Sequence, residues 1–128
     1  TIRLVCAKKK GEKRAHFISA IQRIGSDDSI PVDNASAGGV EAFSYSKPSS
    51  AFSLGESILT GLSRETGLQN RGMKVRPSLY VLRKTNMPAV LVEIGFITNI
   101  GDATLMAENP NLIARGIYNG ILRYYGLG

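Results

Sequence analysis

An α/β fold, a mainly parallel twisted sheet with helices on both faces in a single domain, is what this chain of 128 residues predicts. Three observations point there. The run Ala89-Val90-Leu91-Val92 is apolar throughout and too short for a helix, and two of its four residues are β-branched, so it reads as a strand covered on both faces. Leu54, Ile58, Leu59 and Leu62, and later Leu112, Ile113, Ile117, Ile121, Leu122 and Tyr125, recur at helical steps and mark two amphipathic helices. Strand-like and helix-like segments alternate along the chain, the pattern of helices packed on a sheet.

In order, residues 1–6 open as a short strand, with Ile2, Leu4 and Cys6 alternating with Arg3 and Val5. The charged run at 8–14 reads as a solvated helix entry or a polyanion contact. Phe17, Ile18, Ile21 and Ile24 fit one face of a short helix over 15–24. Pro31 argues against a central strand over 29–34, and 35–39 is a flexible loop. A strand over 40–45 follows, then Ser49 and Ser50 supply a cap for a helix over 51–64, which Gly67 closes. Asn70-Arg71-Gly72 predicts a turn, Leu79-Tyr80-Val81-Leu82 a second β-run, and residues 84–87 a link to the strand that Pro88 begins. Asp102 is placed to cap a short helix through Met106. Asn109-Pro110 starts the last helix, a side-chain cap with proline at the first helical position. That helix should lie along the sheet and stop at Gly126.

Composition narrows the function classes. Sixteen basic against ten acidic residues leave a net charge of +6, which favours an anionic partner. With no tryptophan and no aromatic inside residues 8–14, a stacking platform for nucleic acid is not visible, and none is expected as partner. No apolar run is long enough to span a bilayer, and no signal peptide opens the chain. A start at Thr1 fits a processed chain or a fragment, and a single cysteine excludes an internal disulfide.

Glu93 ends the apolar run that begins at Ala89. A carboxylate carried out of a hydrophobic strand is desolvated, which raises its pKa and suits a general base; an inert strand-end carboxylate meeting solvent is the alternative. Open α/β sheets place their chemistry at the carboxyl ends of strands, where this residue is expected. Gly95 lets the backbone leave the strand sharply, and Asn99 with Gly101 marks a turn.

Five segments carry a resemblance. They are Gly39-Val40-Glu41-Ala42-Phe43-Ser44-Tyr45, Asn70-Arg71-Gly72-Met73-Lys74, Leu79-Tyr80-Val81-Leu82-Arg83, residues 85–99 from Thr85 through Glu93 to Asn99, and the closing Gly120-Ile121-Leu122-Arg123-Tyr124-Tyr125. In this order, over residues 29–128, the chain resembles the zinc-dependent N-acetylmuramoyl-L-alanine amidases, the bacterial autolysins and phage endolysins. The resemblance implies a twisted sheet with helices on both faces. It also implies cleavage of the amide between N-acetylmuramic acid and L-alanine of the stem peptide, hence peptidoglycan as partner and the cell wall or extracellular space as location. It implies zinc as cofactor, held by two histidines and a glutamate, with Glu93 as general base on the metal-bound water. Arg71 and Glu41 then become candidate substrate-binding residues, and Asn99 a residue that orders the loop after Glu93.

The chain departs from the family pattern before residue 35. Residues 1–28 match poorly, so 1–128 is expected to be one amidase-like domain lacking or altering its N-terminal metal-binding part. Pro31 stands where the pattern has its second histidine, and proline has no side-chain donor for a metal. His16, the only histidine, reads as an ordinary helix-surface residue, so no metal ligands are identified. A noncatalytic relative that grips peptidoglycan without cutting it is therefore the alternative.

Overall fold

The computed structural model describes residues 2–8, 17–23, 38–84, 89–95 and 100–127. Nine elements follow one another: β1 (Ile2–Lys8), β2 (Phe17–Arg23), β3 (Val40–Ser44), α1 (Ser50–Thr66), β4 (Asn70–Val75), α2 (Tyr80–Arg83), β5 (Ala89–Ile94), α3 (Ile100–Glu108) and α4 (Pro110–Tyr124). The strands form one sheet in the order β2-β1-β5-β3-β4, with helices on both faces, so the α/β class holds.

The sheet is mixed rather than mainly parallel. Only β3 and β4 run parallel, joined by α1, while the β3–β5, β1–β5 and β1–β2 pairs are antiparallel. The cause lies between β4 and β5. The link there carries α2, a single turn of helix about 6 Å long. It packs through Leu82 on Phe43, Ala89 and Leu91, at the end of β3, so β5 enters there and runs the opposite way. The segment 79–82 was expected as a strand. Its apolar residues suit a helical turn equally, because Leu79 and Leu82, three apart, share the face that meets Phe43 while Tyr80 points to solvent.

Two more expectations change. Phe17–Arg23 is not a helix but β2, paired antiparallel with β1 from Lys8↔Phe17 to Ile2↔Arg23. Its isoleucines fit a strand as readily as a short stripe, and a ten-residue helix has little stability of its own. The turn expected at Asn70-Arg71-Gly72 lies inside β4: Asn70 Oδ1 accepts the Gly72 N–H at 2.9 Å. That local loop puts three steps of β4, Asn70 to Met73, beside two of β3, Val40 to Ala42. Turn chemistry was legible there; its placement as a bulge in an edge strand was not.

Helix α1 matches its expected span. Ser49 Oγ accepts the Phe52 N–H at 3.1 Å, and Gly67 ends the helix with its N–H on the Ser63 carbonyl at 2.9 Å. Leu54, Ile58, Leu59 and Leu62 bury themselves against Val40, Ala42, Val90, Val92 and Ile94. Helix α4, expected along the sheet, lies instead against α1, with Ile113 reaching the same core. The reason is small residues at the crossing. A Cβ added at Gly61 would come within 2.2 Å of the Gly116 carbonyl oxygen and 2.8 Å of the Gly120 nitrogen, so the two backbones touch where only glycine fits. Ser57 Oγ donates to the Gly120 carbonyl at 2.6 Å across the same contact. Pro110 opens α4 as expected, but Asn109 makes no side-chain cap bond. Residues 9–16, 24–37, 85–88 and 96–99, which carry His16, Pro31, Asn99 and most of the charged run, lie outside the described residues.

Candidate functional site

Glu93 is the fifth of six residues in β5, and every residue of that strand is buried. Alternation puts Val90, Val92 and Ile94 on the α1 face and Glu93 on the other, with Ala89 and Leu91. Glu93 is 4% exposed. Because β5 runs against β3, Glu93 faces the beginning of β3, and its cross-strand partner is Glu41, itself 6% exposed. On the other side its register partner in β1 is Arg3. The site is therefore at the carboxyl end of β5 but the amino end of β3 and β4, so the strand-end rule for parallel sheets does not by itself locate it.

Two carboxylates facing each other on one sheet face repel unless cations stand nearby. Lys74 Nζ lies 2.6 Å from Glu41 Oε2, and Arg71 Nε lies 3.6 Å from the same oxygen. The bulge in β4 makes this possible, since it sets Lys74 opposite Phe43 and leaves Arg71 beside Glu41. Arg71 also donates to the Gly38 carbonyl at 3.4 Å. The structure thus brings together all three predicted site residues, Glu93, Glu41 and Arg71, and places Arg71 on Glu41.

Sequence reasoning missed two residues here. Lys74 ends the segment Asn70-Arg71-Gly72-Met73-Lys74, and its one signal was that it shares this segment with Arg71. Asp102 was expected to cap its own helix. It is 5% exposed, and its Oδ2 accepts the Gly39 N–H at 2.9 Å, fastening α3 to the start of β3. The Gly39 carbonyl accepts the Gly95 N–H at 2.9 Å, which ties in the residue after β5. Gly39 has φ 108°, and a Cβ there would lie 2.4 Å from the Gln69 carbonyl oxygen, so only glycine fits at this junction. These bonds fix the chain just after Glu93 to the start of β3.

Among the described residues no group of three or more His, Cys, Asp or Glu side chains is gathered closely enough to hold a metal ion. The acids present are committed elsewhere, Glu41 to Lys74 and Asp102 to the Gly39 N–H. A groove of about 290 Å³ lies away from Glu93, between α1 and α4, lined by Gly61, Arg64, Glu65, Asn119 and Arg123. That groove holds no group able to move a proton beyond Glu65, whereas two buried carboxylates face each other on the sheet. Among the described residues no helix is long and apolar enough to cross a membrane.

Comparison with known proteins gives a consistent result. Residues 28–123 match the family described as N-acetylmuramoyl-L-alanine amidase. An uncharacterized cell wall amidase of Bacillus anthracis is 36% identical over 102 residues, covering 72% of this chain and 19% of that protein. The N-acetylmuramoyl-L-alanine amidase LytC of Bacillus subtilis is 38% identical over 74 residues, 56% of this chain and 15% of that protein. Among solved structures, the CwlD amidase of Clostridioides difficile, in complex with the GerS lipoprotein, superposes with a TM-score of 0.67 at 28% identity, over 75% of this chain and 50% of that one. The chain thus spans half or less of the length of each of these relatives.

Proposed function

This chain belongs to the N-acetylmuramoyl-L-alanine amidase family, and from that premise we propose that it contributes to a peptidoglycan hydrolase cutting the amide between N-acetylmuramic acid and the L-alanine of the stem peptide. The observation that carries the reading is Glu93, a carboxylate held 4% exposed near the end of a fully buried strand, opposite Glu41. In this reading Glu93 is the general base: it takes a proton from the attacking water and passes it to the departing amine nitrogen. Water adds to the carbonyl carbon, the C–N bond breaks, and the products are a lactyl carboxylate and a free L-alanine amine.

Arg71 and Glu41 are proposed to bound the substrate groove. The Arg71 side chain is 25% exposed, and its guanidinium, already oriented by Glu41 and the Gly38 carbonyl, is suited to receive a carboxylate of the stem peptide. Residues 1–128 are proposed as one amidase-like domain acting at the cell wall, outside the membrane. The family is generally zinc-dependent. The described residues do not fit a zinc site, because they lack three convergent ligands.

A second reading, binding without cutting, is favoured by the presence of a single histidine in the whole chain. The two are separated by incubating purified protein with isolated walls, measuring released stem peptides and bound zinc together. The amidase reading expects release that falls about a hundredfold in Glu93→Gln. Pelleting with walls without release, in a protein holding no zinc, supports binding alone. Tight binding of one zinc would direct attention to His16.

A further inference from the structure

The groove between α1 and α4 faces away from Glu93 and has a chemistry of its own. Gly61 lines it, at the point where the missing side chain lets the two helices meet. Its walls are Arg64 and Glu65 from the last turn of α1, and Asn119 and Arg123, four residues apart on one stripe of α4. Glu65 is already engaged: Asn119 Nδ2 donates to its Oε1 at 3.1 Å, and Arg115 Nη1 lies 3.9 Å from its Oε2. Arg64 and Arg123 have no ion pair or hydrogen bond from their side chains among the described residues. Two guanidiniums therefore border a polar groove of about 290 Å³, in a chain whose net charge is +6.

We propose that this groove, with Arg64 and Arg123 as its cationic walls, binds a phosphate group of a polyol-phosphate polymer of the cell wall. The proposal rests on the wall-directed reading above and adds a second contact, remote from the cutting site. A guanidinium offers a planar fork of N–H donors, and phosphate oxygens accept two such forks at once. The volume sits near the lower end of ligand pockets, with room for a phosphate and a short polyol. A lipid surface suits the groove less well. Its lining carries no apolar side chain to enter a bilayer, whereas interfacial binding needs an apolar face beside the cations.

The test uses inorganic phosphate and glycerol 3-phosphate on the whole chain, followed by backbone amide NMR, and then retention on walls. Saturable shifts at Gly61, Arg64, Asn119 and Arg123 are expected with both probes. The double variant Arg64→Gln/Arg123→Gln should lose those shifts and lower retention on phosphate-bearing walls about tenfold. Arg83→Gln/Lys84→Gln, which removes the same charge from the end of α2, should keep the shifts and lower retention much less. Walls stripped of their phosphate polymer report peptidoglycan binding alone, so retention there reads the earlier proposal and the difference between wall preparations reads this one. The idea is overturned if shifts scatter over all basic residues, if the two double variants behave alike, if stripped and unstripped walls respond equally to the Arg64/Arg123 change, or if phosphatidylglycerol vesicles replace walls as the Arg64- and Arg123-dependent target.

Discussion

On one face of the sheet Val40, Ala42, Val90, Val92 and Ile94 meet α1 in an apolar core; on the other, Glu41 and Glu93 are buried beside Phe43, Ala89 and Leu91. The same strands build both faces, since alternation sends neighbouring residues to opposite sides. Val92 and Ile94 secure the strand that Glu93 rides on. The α1 face can therefore hold two desolvated carboxylates in place opposite, where they do nothing for packing. Stability and chemistry are separated by side-chain direction rather than by position along the chain.

That separation can be broken from the α1 side with the largest effects. Leu62→Ala, at a side chain with 0% exposure, should cost about 3 kcal/mol in denaturant unfolding through lost burial and a residual cavity. Gly61→Ala should follow at about 2 kcal/mol or more, because the added carbon meets the backbone of α4 and neither helix can yield without moving the other. Asp102→Ala should cost about 2 kcal/mol by leaving the buried Gly39 N–H without its acceptor, and hydrogen exchange at Gly39 should speed up more than exchange in α1.

The opposite face should respond in the other order, with small changes in stability and large ones in function. Lys74→Met removes a cation that is 45% exposed on its side chain, and Arg71 stays 3.6 Å from the same Glu41 oxygen, so the expected cost is about 1 kcal/mol or less. Its loss should nevertheless weaken any activity that depends on the order of β3 beside Glu93. A Lys74→Met protein that unfolds like Leu62→Ala would show that the two faces are not separate.

What could be read from the sequence follows the same division. Leu54, Ile58, Leu59 and Leu62 announced α1 because a helical stripe is a local pattern, and Ala89 to Val92 announced β5 because four apolar residues leave little choice. Strand direction was not local. It depends on a four-residue helix whose sequence, Tyr80-Val81-Leu82-Arg83, suits strand and helix about equally. The packing of α4 on α1 was also hidden, since Gly61, Gly116 and Gly120 act through what they lack. At the site, Glu93 was visible at the end of an apolar run, and Arg71 and Glu41 through motif position. Their contact with one another needed the bulge at Asn70-Arg71-Gly72, which the turn chemistry suggested and only the pairing with β3 could place.

The most direct measurement compares wild type and Glu93→Gln for release of stem peptides from isolated walls, with unfolding followed on the same samples. Glutamine keeps the shape of the side chain and removes the base. Release should fall about a hundredfold with unfolding shifted by less than about 1 kcal/mol, since the strand is secured from the other face. Equal release from both proteins, or none from either, would contradict the assignment of Glu93 as base.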